Sequence, residues 1–178
     1  MLTLISPAKT FSSKAKLSER FPASSPRFLE EAHEIVGASL SLSQEELGRM
    51  LSLSPKLSKE VYHTQRTFFD DGVKELQAPL NYSGMVYRKL SAGTLSAEEW
   101  AYAEDHLRMT SFVYGLLRPS DLIRPYRMEG TAHIPGIGEG RIFDFWRDRL
   151  TPLFIEEVKE RGGTLLYLAS DEMRQQIG

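Results

Sequence analysis

Three groups of residues in this sequence have types and spacings that chemistry can use. In the first, Ile5-Ser6-Pro7-Ala8-Lys9-Thr10, Ser6 and Lys9 have the Ser-x-x-Lys spacing of serine acyl-transfer enzymes. Such a nucleophile needs Ser-Asp-Asn and Lys-Thr-Gly partner motifs. The chain offers Lys9-Thr10-Phe11 and Ser170-Asp171-Glu172 instead, so the nucleophile is disfavoured. The favoured reading makes Ser6 a helix N-cap, with Pro7 at the first helical position and Lys9 helping that helix end hold an anion.

The second group runs from Tyr114 to Arg127 and gathers Arg118, Arg124 and Arg127 with Tyr114 and Tyr126, opposed only by Asp121. Two Arg-Pro steps restrict the backbone, and pre-ordered guanidinium forks grip phosphate bidentately. Pairing of the same arginines with carboxylates such as Asp121 and Glu129 explains the composition equally well. The third group is a helical hairpin between Ser43 and Phe69, with Arg49, Lys56 and Lys59 around its turn and Arg66 further along. A helix-hairpin-helix unit presents such a turn and a helix N-terminus to DNA phosphates without reading bases. Glu45, Glu46 and Glu60 dilute the charge, and an ordinary helical hairpin is the commoner arrangement. Pro135-Gly136-Ile137-Gly138 imitates a DNA-binding hairpin turn, but Gly130 and Thr131 precede it where a helix is required.

Other chemistries find little support. His33, His63, His106 and His133 form no i, i+4 pair, and Glu30 with His33 makes two ligands at most. No metal is expected. Cysteine is absent, which excludes disulfides, thiolate metal sites and cysteine nucleophiles. Neither a Walker loop nor a dinucleotide glycine fingerprint occurs, and no cofactor is expected.

The elements that must position these residues are readable in outline. Leu2 to Ile5 is a short buried strand, and Phe11 to Pro26 reads as a long surface loop. A helix begins near Arg27, with Phe28, Leu29, Ala32, Ile35 and Val36 at helical spacing. Ser43 with Glu46 forms a capping box, and Ser54-Pro55 starts a second helix bearing Leu57 and Val61. Pro79 to Leu90 reads as a strand running into a turn. Ser96 with Glu99 opens a helix through Leu107, and Thr110 to Leu117 reads as one buried strand. A glycine-rich turn region spans 130–140, followed by a helix from Phe143 to Arg161. Gly162-Gly163 ends that helix, Thr164 to Ala169 is a last buried strand, and Ser170 begins a further helix. The expected fold is mixed α+β in one domain over 1–178.

The bulk composition agrees. With 178 residues, 41% apolar and 26% charged, the chain can bury a core, and its formal net charge of -2 leaves phosphate binding to local basic patches. The run Leu2 to Ile5 is too short for a secretory signal, and no stretch approaches the ~20 apolar residues of a membrane span. A cytoplasmic protein without membrane contact is expected.

Ile5 to Thr10, Tyr82-Ser83-Gly84-Met85-Val86-Tyr87, Leu107-Arg108-Met109, Tyr114 to Arg127 and Leu168 to Glu172 together resemble the YaaA family of bacterial peroxide-stress proteins. The resemblance implies an unusual mixed fold with a helix-hairpin-helix element over Leu42 to Val61, binding of double-stranded DNA, and protection from hydrogen peroxide without an established reaction. It assigns the motif positions to Ser6, Lys9, Arg118, Asp121, Tyr126, Arg127, Ser170 and Glu172. Family members commonly carry Tyr at the position of Met173. They also extend further, with a strand-rich part and a basic C-terminal motif, so a C-terminally truncated chain is expected.

Three functions follow as expectations. In the first, Lys9, Arg118, Arg124 and Arg127 line a cleft for DNA phosphates and the hairpin adds a second backbone contact, without catalysis. In the second, the Ser6-Lys9, Arg118-Arg127 and Ser170-Glu172 motifs, each following a predicted strand, converge on a pocket for a phosphorylated or nucleotide substrate, with Glu172 and Lys9 as acid and base. The third, direct iron sequestration, has little ligand chemistry behind it. The sequence sets no oligomeric state.

Overall fold

The computed structural model describes residues 1–178. In chain order the elements are β1 (Leu2–Ile5), β2 (Thr10–Phe11), α1 (Leu29–Ser39), α2 (Gln44–Met50), α3 (Pro55–Arg66), β3 (Leu76–Gln77), α4 (Ala78–Asn81) and β4 (Tyr82–Ser83). They continue with α5 (Met85–Leu90), α6 (Ala97–His106), β5 (Leu107–Ser111), β6 (Gly115–Leu117), β7 (Leu122–Ile123), α7 (Ile142–Glu160), β8 (Leu165–Tyr167) and α8 (Arg174–Ile177). The fold is mixed α+β, with short strands in small sheets.

The main sheet has the order β6-β5-β1-β8. The apolar run of β1 sits between two parallel neighbours, with Thr3 opposite Leu107 of β5 and Leu2 opposite Leu165 of β8. Parallel pairing demands long crossovers, and the chain supplies them as the α1–α6 segment and the α7 helix. β6 returns antiparallel to β5. Two ribbons, β2 with β4 and β3 with β7, tie the long crossover to the sheet.

A cluster of 33 buried residues forms the core. Trp146 of α7 is fully buried, and its indole N–H donates to the Phe112 carbonyl at 2.9 Å, which satisfies the ring's polar group in the turn after β5. A second, small cluster stacks Phe21 on Trp100 at 4.0 Å between ring centroids. It pins the 12–26 segment, which is irregular but not a free surface loop, while Phe11 itself belongs to β2. Gln77 holds the same segment, accepting from the Ser18 N–H and donating to the Ser18 carbonyl.

Local signals are realised where both halves lie within one turn. Ser43 with Glu46 and Ser96 with Glu99 form reciprocal capping boxes, and the Ser54 hydroxyl accepts from the Leu57 N–H. Four expectations are corrected. Ser6 caps no helix, because the chain leaves β1 and enters β2 instead. Thr110 to Leu117 is the end of β5, a turn and β6, because the Ser111 hydroxyl accepts from the Val113 and Tyr114 N–H groups and Gly115 takes φ +72°. Leu107 opens β5 rather than continuing the preceding helix. Pro79 to Leu90 divides into α4, β4 and α5, because Pro79 lies in the first turn of α4 and Gly84 breaks the chain at φ +123°. The last strand is also less buried than expected: β8 is a sheet edge, and its own Leu166 and the following Leu168 are exposed.

Candidate functional site

β1, β5 and β8 run parallel, so their carboxyl ends reach one edge of the sheet. Ser6, Phe112 and Leu168 follow directly there. Ser6 ties two of those ends together. Its hydroxyl accepts from the Ser170 N–H at 2.8 Å and donates to the Ser170 hydroxyl at 3.2 Å. The Ser170 hydroxyl in turn donates to Glu172 at 3.5 Å. Tyr87 of α5 donates to the Ser6 carbonyl at 2.6 Å and fixes the turn from the other side.

The cations of this edge share one counter-ion. Glu129 accepts from Lys9 Nζ at 3.0 Å and from Arg127 Nη2 at 3.1 Å through its two carboxylate oxygens. Beneath them, the Tyr126 hydroxyl lies 2.7 Å from Ser111 Oγ and 2.6 Å from the Tyr82 hydroxyl. Burial pushes the Tyr126 phenol up to about 12, although its hydrogen bonds with Ser111 and Tyr82 lower it. Burial first, and then the neighbouring phenols, raise Tyr82 well above the ordinary value; burial and Tyr126 do the same for Tyr87. The phenols are therefore neutral supports near pH 7 and not bases. Between these groups is a cavity of about 50 Å³ lined by Ser6, Lys9, Tyr126, Arg127, Glu172 and Met173, among others.

The structure brings Ser6, Lys9, Tyr126, Arg127, Ser170 and Glu172 together, and it takes Arg118 and Arg124 elsewhere. Arg118 binds the fully buried Asp121 at 2.7 Å and the Ser25 carbonyl at 3.2 Å, with Glu104 at 4.0 Å. Asp121 also accepts from the Ser24 hydroxyl and the Arg118 N–H, so it closes a structural knot that is not part of the cavity lining. Arg124 reaches Glu75 at 2.9 Å and the Phe68 carbonyl at 2.6 Å. The single cleft expected from three arginines and Lys9 is thus not formed, because Asp121, Glu75 and Glu129 draw the guanidinium groups in three directions. The sequence reading offered Glu129 only as a carboxylate partner for these arginines, which it is for Arg127, and gave Tyr87 no site role. The sole sequence signal for Glu129 was a carboxylate two residues after Arg127.

At the hairpin, α2 and α3 cross closely because Gly48 leaves room for Ser58. A Cβ at Gly48 would come within 2.4 Å of the Ser58 hydroxyl, which donates to the Gln44 carbonyl at 2.8 Å. Arg49 stands in the last turn of α2, and Lys56 and Lys59 in the first half of α3. All three are exposed, and none has a carboxylate within 4 Å. No three His, Cys, Asp or Glu side chains gather as a metal site, and no helix is long and apolar enough to cross a membrane.

Comparison with known proteins matches residues 1–177 to a family described as peroxide stress protein YaaA. A UPF0246 protein of Porphyromonas gingivalis is 45% identical over 174 residues, covering 98% of this chain and 68% of the relative. One from Bacteroides fragilis is also 45% identical, with 98% and 67% covered. A UPF0246 protein of Clostridium botulinum is 33% identical over 181 residues, with 99% and 69% covered.

Proposed function

The chain belongs to the peroxide stress protein YaaA family, and on that premise we propose that it acts in the cytoplasm as a peroxide-stress protein that binds double-stranded DNA through the α2–α3 hairpin. One observation carries this reading. Arg49, Lys56 and Lys59 are exposed and unpaired around the hairpin turn, whereas Arg118, Arg124 and Arg127 are held by carboxylates of the chain itself. A cation without an internal partner can release a phosphate's counterion on contact; one already neutralised gains less. The N-terminus of α3 adds little to this, since Pro55 has no N–H and the Leu57 and Ser58 N–H groups already donate to Ser54, so the side-chain cations carry the contact. Binding of this kind reads phosphates and not bases, so it is insensitive to sequence.

Fluorescence anisotropy with a labelled duplex tests the reading. Three phosphate contacts, each with a logarithmic slope of about −0.9, predict a loss of roughly 40-fold in affinity between 50 and 200 mM salt. Lys56→Glu lowers both affinity and slope, while the same charge change at exposed Lys89 does not. Salt-independent affinity, or equal effects at Lys56 and Lys89, contradicts the proposal.

A second reading is favoured by a separate observation. The Ser6-Lys9, Arg127 and Ser170-Glu172 positions meet around one small cavity, which suits a small anionic ligand, with Glu172 and Lys9 as acid and base.

A further inference from the structure

We infer that the cavity at the carboxyl edge of β1 and β8 is a binding site for a small oxoanion that still carries an acidic O–H, of the size and type of hydrogen phosphate. The inference rests on the second reading above and names its ligand class. Four observations support it.

The strand order turns about β1. The chain builds from β1 to β5 on one side and returns to β8 on the other, so the segments carrying Ser6 and Ser170 leave adjacent strand ends at the point of reversal. In open sheets with parallel strands, ligands occupy the crevice outside the carboxyl ends at such a point. The size of the cavity then limits the ligand. About 50 Å³ holds a few waters or one tetrahedral ion, whereas sites for larger organic ligands run to ~300 Å³ or more. A whole nucleotide is not enclosed by it.

The charges give the third argument. Lys9 and Arg127 line the cavity with Glu172, and Glu129 grips both cations through one carboxylate without itself lining the space, so the four charges sum to zero and an arriving anion draws on donor positions of Lys9 and Arg127 that Glu129 does not occupy. Arg127 also has its Nε buried with no acceptor in the protein, although its Nη2 is engaged by Glu129. A buried guanidinium N–H without an acceptor is costly, and an oxoanion in the cavity supplies one. Fourth, Glu172 is a carboxylate facing an anion site. It repels a fully deprotonated ion but accepts a hydrogen bond from one that carries O–H, as a neighbouring charge built against the wrong ligand does. Ser6 and Tyr126 are already hydrogen-bonded to Ser170, Ser111 and Tyr82, so Lys9 and Arg127 are the donors and Glu172 is the acceptor.

A phosphodiester has no O–H to offer Glu172, so duplex DNA is a different ligand on a different surface. Isothermal titration calorimetry of the full chain with inorganic phosphate and with sulfate tests this. Phosphate is expected to bind saturably one to one and at least about tenfold more tightly than sulfate, the worth of one hydrogen bond to a charged group. Glu172→Gln, at an exposed position, is expected to abolish that preference. Arg127→Gln and Lys9→Met each weaken phosphate binding about tenfold or more, and Lys9, being exposed, keeps the test valid if Arg127→Gln fails to fold. Lys56→Glu leaves phosphate binding unchanged, and duplex DNA does not displace phosphate. Equal affinity for sulfate and phosphate in the unaltered chain overturns the protonated-oxoanion inference while keeping an anion cleft. Absence of binding by either ion overturns the cleft reading too, and leaves hairpin binding of DNA to stand or fall by its own titration.

Discussion

Asp144 and Glu157 are both carboxylates on α7, yet they hold the fold by different physics. Asp144 is partly exposed at the helix start, where it accepts from Arg141 Nε at 3.0 Å and from the Arg141 N–H at 2.9 Å, with Arg147 at 3.3 Å. The side-chain and backbone hydrogen bonds from Arg141 depress its carboxyl from the ordinary 3.8 to about 2. A depressed carboxyl stabilises the fold above its unfolded value and loses that contribution as pH falls through the folded one. Urea unfolding at pH 5, 3 and 2 is therefore expected to show stability falling between about pH 4 and 2, with Asp144→Asn losing less over that interval. Glu157 is buried and binds the equally buried Arg108 at 2.6 Å, with Arg27 at 3.5 Å. Desolvation lowers the Arg108 guanidinium, and the Glu157 charge works against that. Glu157→Gln leaves a buried cation without its counter-ion, at a cost of about 3–5 kcal/mol. Chemical denaturation at neutral pH measures that loss, and a cost under ~1 kcal/mol would show the pair to be well solvated.

Among the elements, what was legible in the sequence depended on range. The caps at Ser43, Ser54 and Ser96 are realised because cap and partner are three residues apart, so no tertiary neighbour has to agree. The run Thr110 to Leu117 misled because a continuous apolar stretch has no period to betray a turn. Its one signal was Gly115, and the reason for that glycine is distant in sequence. Gly115 takes φ +72°, and a Cβ there would come within 2.6 Å of the Trp146 ring. Gly115→Ala therefore combines left-handed backbone strain with overpacking against an indole that α7 holds in place, and is expected to cost about 2–4 kcal/mol. Gly136→Ala carries the same sign of φ, +88°, with no neighbour within 4 Å, and is expected to cost only about 1–2 kcal/mol. Thermal unfolding of the two variants separates the packing term from the backbone term. Similar losses in both would mean that the Trp146 contact contributes little.

For the whole molecule, the arrangement of the arginine motif was not legible because it follows from which segments the sheets bring together. β7 pairs with β3, Leu76 opposite Ile123, which carries Arg124 to Glu75 and the end of the α3 segment. Arg127, three residues on, arrives at the carboxyl edge of β1 beside Lys9, joined to it through Glu129. Cation types and spacing marked Arg118, Arg124 and Arg127 as one group, but the long-range strand pairing divides them between a knot, a loop brace and a cavity. That architecture makes a prediction about opening. β1 has neighbours on both sides and its apolar residues are almost fully buried, so its amides should open only with the whole fold. β8 is paired on one side alone, with Leu166 41% and Leu168 61% exposed, and should open by local fraying at lower free energy. Native-state hydrogen exchange read by mass spectrometry is expected to rank β1 and β5 slowest, β8 faster, and the exposed residues of the 12–20 segment fastest. Protection of β8 equal to that of β1 would mean that its outer edge is covered in solution, and the exposed leucines beside it would then be an interface.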